Sequence, residues 1–545
     1  MTETAKIQSP NTEQFKALQQ YIISKSQQRD NLQPPLTFAE LESYFTDAPH
    51  LLQNVHYEPL HLSHATLHLG QLKLFLNELR FISHETKITR QNRDYDFIFY
   101  VGSSPGTHLK MLADLFPDIR FICVDPAEHN IKYSRSYNSL PYWRADVNDP
   151  QIWRDRASAE NPLFLRESLY FRVSQKTAFP NAYIRMVNDC GKIVNIQKRD
   201  AISSSQLSID LIGKWIVANI SLLRDFRFLI IEMPCDEQLA KSLAFISQQP
   251  RINTLYISDI RTNLSSQWIT EMIAAAEPIA TSAVDIAERI KALNLLKTGK
   301  NALEKVSFPS ESDILLNNIQ QRLWLIQIQP RVAMLKYHPP YFTKETHELD
   351  ALHLRQFFTQ FALPRQLLQK AMEQIPNYDP LADFDAAQDT QPFFHSIDLQ
   401  AFAGANSGET RLILHRDECD NYKKSITISS AKFEGYLYAF NRIRDMAYFS
   451  SNKPYIDLSL GICCCADCTN MVRIFREYLT AHWNISSDEM ADTIKSLIYD
   501  LIVGDMHRSL SADNHPFAFR AFNSPTEYFQ RITALRSIEL IRRSP

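Results

Sequence analysis

The stretch "DFIFYVGSSPGTHLKMLADLFPDIRFICVD", residues 96–125, constrains the fold more than any other part of the chain. "DFIFYV" and "RFICVD" are short apolar runs without alternation between polar and apolar positions. A strand wetted on one face alternates; a strand covered on both faces does not. Between the two runs stand a glycine turn and the helical pattern "HLKMLADLF". Strand, turn, helix and strand in this order predict a parallel sheet with helices on both faces, an α/β fold. "FRFLIIEM", "NTLYISDI" and "RVAMLKY" are further strands of the same kind. "GQLKLFLNELRFISHE" is a helix, because Leu72, Phe75, Leu76, Leu79 and Ile82 form one apolar stripe at helical spacing. "TFAELESYF" and "LLNNIQQRLWLIQIQP" are also helical.

The turn is unusual for this chain. Only eleven glycines occur in 545 residues, against the usual ~7%, yet Gly102 and Gly106 stand four apart around Pro105. Gly102 lets a ligand approach the backbone, Pro105 stiffens the turn, and Gly106 permits a tight start to the helix. The spacing G-x-x-x-G is neither the dinucleotide fingerprint nor a P-loop. Asp125 ends the second strand, about twenty residues on, where a ribose-binding carboxylate would sit. The arrangement suits a nucleoside cofactor without a tightly held polyphosphate, of which S-adenosylmethionine is the commonest. A plain strand-to-helix turn with a capping acid is the other reading.

A second set is polar. Lys73 flanks the amphipathic helix, Asp259 ends "LYISD", Lys336 interrupts the apolar strand "AMLKY", and Glu409 opens "ETRLIL". Charges in apolar strands are costly unless paired, so two lysines and two acids would satisfy one another. A lysine near another cation and partly desolvated loses pKa and can act as a general base near neutral pH. Separate ion pairs at strand ends are the alternative.

The net charge of −3 excludes a basic nucleic-acid coat and leaves a local patch open. The N-terminal "MTETAKIQSPNTEQFKALQQ" is expected not to be a signal peptide, and no apolar window approaches a membrane span. Eight cysteines are too sparse for a disulfide scaffold, which points to a reducing, intracellular compartment. His415 and Cys419 with the pair Cys465 and Cys468 are weak zinc candidates; buried reduced thiols are the simpler reading. Residues 1–50 read as an arm and helix. Residues 51–450 read as the core, with insertions at about 150–225 and 345–400, and residues 451–545 as a mostly helical C-terminal region.

"GQLKLFLNELRFI", "FYVGSSPGTHLKMLADLF", "LYISDIR", "PRVAMLKYHPPYF" and "SGETRLIL" together resemble the poxvirus family of cap-specific mRNA (nucleoside-2′-O-)-methyltransferases. Its members also serve as the small stimulatory subunit of poly(A) polymerase. The resemblance covers roughly residues 55–445 and implies a Rossmann-like methyltransferase core. It places the catalytic set on Lys73, Asp259, Lys336 and Glu409, with Lys336 as base. It places S-adenosylmethionine against Gln71, Tyr100, Gly102, Pro105, Gly106, His108 and Asp125. The methylated cap base would stack between Tyr57 and Tyr341, helped by its positive charge, with Glu434 reading the guanine edge. The chain departs from the family at Thr343, where a second acid is expected, at Asn406 for a tyrosine and at Ala127 for an arginine; these bear on the cap rather than on catalysis. Arg261, Arg331 and Lys344 are expected to line an RNA groove. The implied activity is 2′-O-methyl transfer to the first transcribed nucleotide of capped mRNA. The implied partner is a poly(A) polymerase catalytic subunit or viral transcription machinery, in the virion or the infected-cell cytoplasm. A purely stimulatory polymerase subunit and a small-molecule methyltransferase are the alternatives.

Overall fold

The computed structural model describes residues 12–27, 33–52, 70–87, 95–106, 108–116, 119–127, 129, 170–174, 181–187, 206–208, 212–218, 220, 228–260, 311–338, 362–376, 390–392, 396–401, 408–424, 427–446, 456–457, 462–463 and 466–482, with isolated positions in 277–293 and 486–497.

Fourteen strands are described: β1 (Tyr95–Val101), β2 (Ile119–Val124), β3 (Tyr170–Ser174), β4 (Asn181–Val187), β5 (Gln206–Ser208), β6 (Phe228–Glu232), β7 (Ile252–Ser258), β8 (Val332–Tyr337), β9 (Thr390–Pro392), β10 (Ser396–Asp398), β11 (Thr410–His415), β12 (Thr427–Ser429), β13 (Ile456–Asp457) and β14 (Ile462–Cys463). Ten of them form one sheet in the order β10-β11-β8-β7-β1-β2-β6-β3-β4-β5. The run from β8 to β3 is parallel. The flanking pairs β8–β11, β10–β11, β3–β4 and β4–β5 are antiparallel. This is a mixed α/β architecture with a mostly parallel sheet, compatible with a Rossmann-like fold. The described strands of the segment read as an insertion at about 150–225 join this sheet. β3 pairs with β6 in parallel, and β4 and β5 continue the edge, so the aromatic-rich "LYFRVS" and "NAYIRMV" are sheet strands.

Among the described residues the α-helices with full ranges are α1 (Thr12–Gln27), α2 (Phe38–Tyr44), α3 (Gly70–Lys87), α4 (Leu109–Leu115), α5 (Ile212–Ala218), α6 (Glu237–Ser247), α7 (Glu311–Ile328), α8 (Ala362–Gln374), α9 (Ser430–Met446) and α10 (Ala466–His482). Their starts follow local chemistry. Thr37 caps α2 by accepting from Glu40 N at 3.1 Å, and Asp236 caps α6 by accepting from Leu239 N at 2.8 Å.

The strands divide the core by alternation. Phe97, Phe99 and Val101 of β1 pack with α1, α2 and α5–α9 on one face. Ile98 and Tyr100 pack with α3, α4 and α10 on the other. None of the described helices is long and apolar enough to cross a membrane. In the N-terminal region, read as an arm and helix, α1 buries Leu18 and Ile22 in the first core. α10, from the C-terminal region, packs on α3 and is tied to α9 by a buried pair, Arg444 Nε to Asp467 Oδ1 at 2.8 Å and Nη2 to Oδ2 at 2.9 Å.

α5 and α6 approach closely at Gly213, whose N–H donates to Ser242 Oγ at 2.8 Å. A Cβ at Gly213 would lie 1.8 Å from the Ser242 carbonyl oxygen, so backbone must move to admit it. Gly213→Ala should therefore destabilise at or above the upper end of the usual overpacking cost of about 1–3 kcal/mol. A shift in the urea midpoint at unchanged slope is the check; a change within experimental error would mean that the two helices separate freely.

Candidate active site at the carboxyl edge of the sheet

β1 lies between β2 and β7. The chain runs from β1 to β2 on one side and reaches β7 and β8 on the other, which makes the gap between β1 and β7 a topological switch point. In open parallel sheets, ligands bind in the crevice outside the strand ends at such a point. The glycine turn follows β1, and Asp259 follows β7. Gly102 has φ +79°, and a Cβ there would stand 2.8 Å from both Asp259 C and Ile260 N. Only glycine accommodates this conformation and this contact together.

The polar set converges at this crevice. Lys73, in the first turn of α3, puts Nζ 2.6 Å from Glu409 Oε1. Lys336 Nζ lies 3.3 Å from Asp259 Oδ1 and 3.6 Å from Glu409 Oε2. Sequence reasoning missed a fifth member. Arg411 Nη2 is 2.8 Å from Asp259 Oδ1 and 3.4 Å from Glu409 Oε1, and the side chain is 1% exposed. Its signal was present, because Arg411 follows Glu409 by two as the chain enters β11, an offset that returns a side chain to the same face. The register confirms the neighbourhood, with Arg411 opposite Lys336 in the β8–β11 pair.

Three cations thus face two carboxylates. Burial pushes the Lys73 amine below its ordinary value; Glu409 opposes this, and Arg411 adds to it. For Asp259, burial pushes the carboxyl up, but Lys336 and Arg411 outweigh it and hold it low. Arg411 is pushed down by burial and returned above its ordinary value by Asp259 and Glu409.

The Asp259 shift has a consequence for acid stability. Its folded-state carboxyl titrates below the ordinary aspartate value of about 3.9. Under that value the unfolded chain binds the proton that the folded one refuses, so stability falls as pH drops. The contribution is complete above about pH 4 and gone beneath the folded value. Urea midpoints measured from pH 5 down to 2 should fall more steeply for the wild type than for Asp259→Asn; parallel curves would remove Asp259 from the account.

On the other side of the turn, Asp125 Oδ2 accepts from Ser104 N at 3.2 Å and Oδ1 from Ala127 N at 2.8 Å. Burial raises its carboxyl, and those two backbone bonds oppose the rise. Ser103 Oγ meets His129 Nε2 at 2.8 Å beneath the turn. The Ser104–Pro105 peptide is cis, and Gly106 has φ +65°. Tyr100 and His108 are buried, and both meet Glu78 of α3, a residue that sequence reasoning did not single out. The Tyr100 hydroxyl donates to Glu78 Oε1, and His108 Nε2 lies 2.7 Å from Oε2.

Other expected site residues are placed less fully. Gln71 and Glu434 lie on α3 and α9, and their side chains are outside the described residues; so are Tyr57, Tyr341, Thr343, Asn406, Arg261, Lys344 and Cys465. Arg331 is a correction. It precedes β8, at the end of the sheet away from the crevice, and is held by Glu85 Oε2 at 3.0 Å and Asn253 Oδ1 at 2.7 Å. It cannot line an RNA groove at the carboxyl edge. The zinc candidates do not converge either. Cys419 is buried in the core on one face of the sheet and Cys468 in the core on the other. His415 Nε2 lies 3.6 Å from Glu85 Oε1. Among the described residues no group of three or more His, Cys, Asp or Glu is placed to hold a metal ion.

The molecule is therefore an α/β protein with a charged crevice at the switch point of a mostly parallel sheet. The family model described as the poly A polymerase regulatory subunit matches residues 41–160. Comparison with curated proteins gives no match. The matched segment holds Lys73, the glycine turn and Asp125, and stops short of Asp259, Lys336 and Glu409. It supports the polymerase-subunit side of the resemblance.

Proposed function

We propose that the crevice transfers a methyl group from S-adenosylmethionine to the 2′-oxygen of the first transcribed nucleotide of capped RNA. The observation that carries this reading is the meeting of Lys73, Asp259, Lys336, Glu409 and Arg411 beside the glycine turn. The residues suit the cofactor. Gly102 lets the turn pack directly on the main chain of Asp259, and Asp125 offers carboxylate lone pairs at the ribose position. When bound, the cofactor supplies an electrophilic methyl group. Lys336 takes the proton from the 2′-hydroxyl, and Asp259 with Glu409 orients its amine. Lys336 is neutral before it accepts that proton; once it has, three cations face two carboxylates, and the surplus favours the charge that develops on the oxygen. Holding both substrates in line supplies much of the rate.

A second reading has its own support. The match at residues 41–160 is to a regulatory subunit and favours stimulation of a poly(A) polymerase. The two roles are compatible in one chain. The deciding experiment measures transfer of labelled methyl to short capped RNA, with and without a prior 2′-O-methyl on the first nucleotide. It also measures tail length made by a poly(A) polymerase catalytic subunit with and without the protein. Label incorporated only into the unmethylated RNA supports the transferase. Longer tails with no methyl transfer leave the regulatory role alone, and transfer to free nucleosides but not to RNA points to a small-molecule enzyme.

A further inference from the structure

We infer that Glu78 is a positioning residue for the cofactor turn, gripping both shoulders of that turn from the helix that carries Lys73. The inference rests on the transferase reading and goes beyond it by assigning a residue that contacts neither substrate.

Glu78 is 1% exposed. Its two oxygens serve two different elements. Oε1 accepts the hydroxyl of Tyr100, two residues before Gly102 in β1. Oε2 lies 2.7 Å from Nε2 of His108, two residues after Gly106 at the start of α4. One carboxylate thus bridges the strand that enters the turn and the helix that leaves it. The same side chain stands five residues after Lys73 on α3, so it fixes the turn relative to that lysine. The far side of the turn is equally constrained, because the Gly102 α-carbon packs on the main chain of Asp259. A shift of the turn would therefore be felt at both ends of the crevice.

Burying a carboxylate is expensive, and apolar packing would join three elements at lower cost. What the carboxylate adds is direction. A hydroxyl hydrogen-bonded to one oxygen and an imidazole in close polar contact with the other fix Tyr100 and His108 relative to α3, and with them the backbone between. Misplacement by about 1 Å at such a site can cost on the order of 10²-fold.

The test uses the full chain and four proteins: wild type, Glu78→Gln, Tyr100→Phe and the double variant. S-adenosylmethionine and S-adenosylhomocysteine binding is measured by calorimetry, and methyl transfer is measured over a range of cofactor concentrations. Glu78→Gln is isosteric, and Tyr100→Phe removes only a hydroxyl, so at least one single variant stays folded; thermal midpoints check this. Each single variant should weaken cofactor binding by about tenfold or more. The double variant should be no weaker than the worse single, because both changes break one link. The KM for cofactor should rise by a larger factor than kcat falls. Unchanged binding in Glu78→Gln, fully additive losses, or a fall confined to kcat would overturn the assignment while leaving the transferase standing. Failure of the wild type to bind either compound would overturn the transferase reading, and the role of Glu78 with it.

Discussion

Lys336→Ala should lower methyl transfer to capped RNA by on the order of 10²–10⁴, the range of a positioned general base, with S-adenosylmethionine still bound. Lys336 shares with Arg411 a reach to both carboxylates, at 3.3 Å from Asp259 and 3.6 Å from Glu409, and of the two it alone carries an amine that can give up its proton near neutral pH. It sits on the penultimate residue of β8, so its stem is fixed by the sheet rather than by a loop. Lys336→Arg separates the base from the charge. A guanidinium keeps the positive charge but does not give up its proton near neutral pH. Loss of transfer in both variants, with cofactor affinity near that of the wild type, identifies the amine as the proton acceptor. Substantial activity in Lys336→Arg would sink that role and leave the residue as an electrostatic support.

Arg411→Met should destabilise the protein by about 3–5 kcal/mol, the usual result of removing one partner from a buried ion pair. Arg411 is the most enclosed cation of the cluster, and its loss leaves Asp259 and Glu409 to Lys73 and Lys336 alone. Urea unfolding at pH 7 measures the cost. Adding Asp259→Asn to Arg411→Met should recover part of the loss, because one buried charge then disappears with its partner. A cost under about 1 kcal/mol, typical of exposed pairs, would mean that water screens the cluster.

Much of this was legible in the sequence because burial on both faces leaves a mark. β1, β2, β6, β7 and β8 are apolar runs without alternation, and each lies inside the sheet. Lys336 and Glu409 stood out as charges in such runs. β3, β4 and β5 were illegible for the complementary reason. They lie toward one end of the sheet, with β5 at its edge, and "LYFRVS" and "NAYIRMV" mix polar with apolar residues, without the near-continuous apolar run that marks the centre. Glu78 gave no signal because an acid beside an apolar stripe is ordinary on a helix. Only the fold brings Tyr100 of β1 and His108 against it and buries it. Arg331 misled because closeness in sequence to Lys336 was taken for closeness in space. A strand of six residues carries its two ends to opposite edges of a sheet.

The link from Lys73 to Glu409 spans 336 positions. Contacts of such separation form late, after the chain has closed a very long loop. During synthesis, the glycine turn and its supporting strands emerge hundreds of residues before the acid that neutralises Lys73. Until β11 arrives, β8 is an open edge and its lysine lacks one of its two carboxylates. A nascent chain ending short of Arg411 would hold the turn without the complete charge cluster. The crevice thus acts as a checkpoint on its own manufacture: its charge cluster is complete only when the far side of the sheet has been laid down.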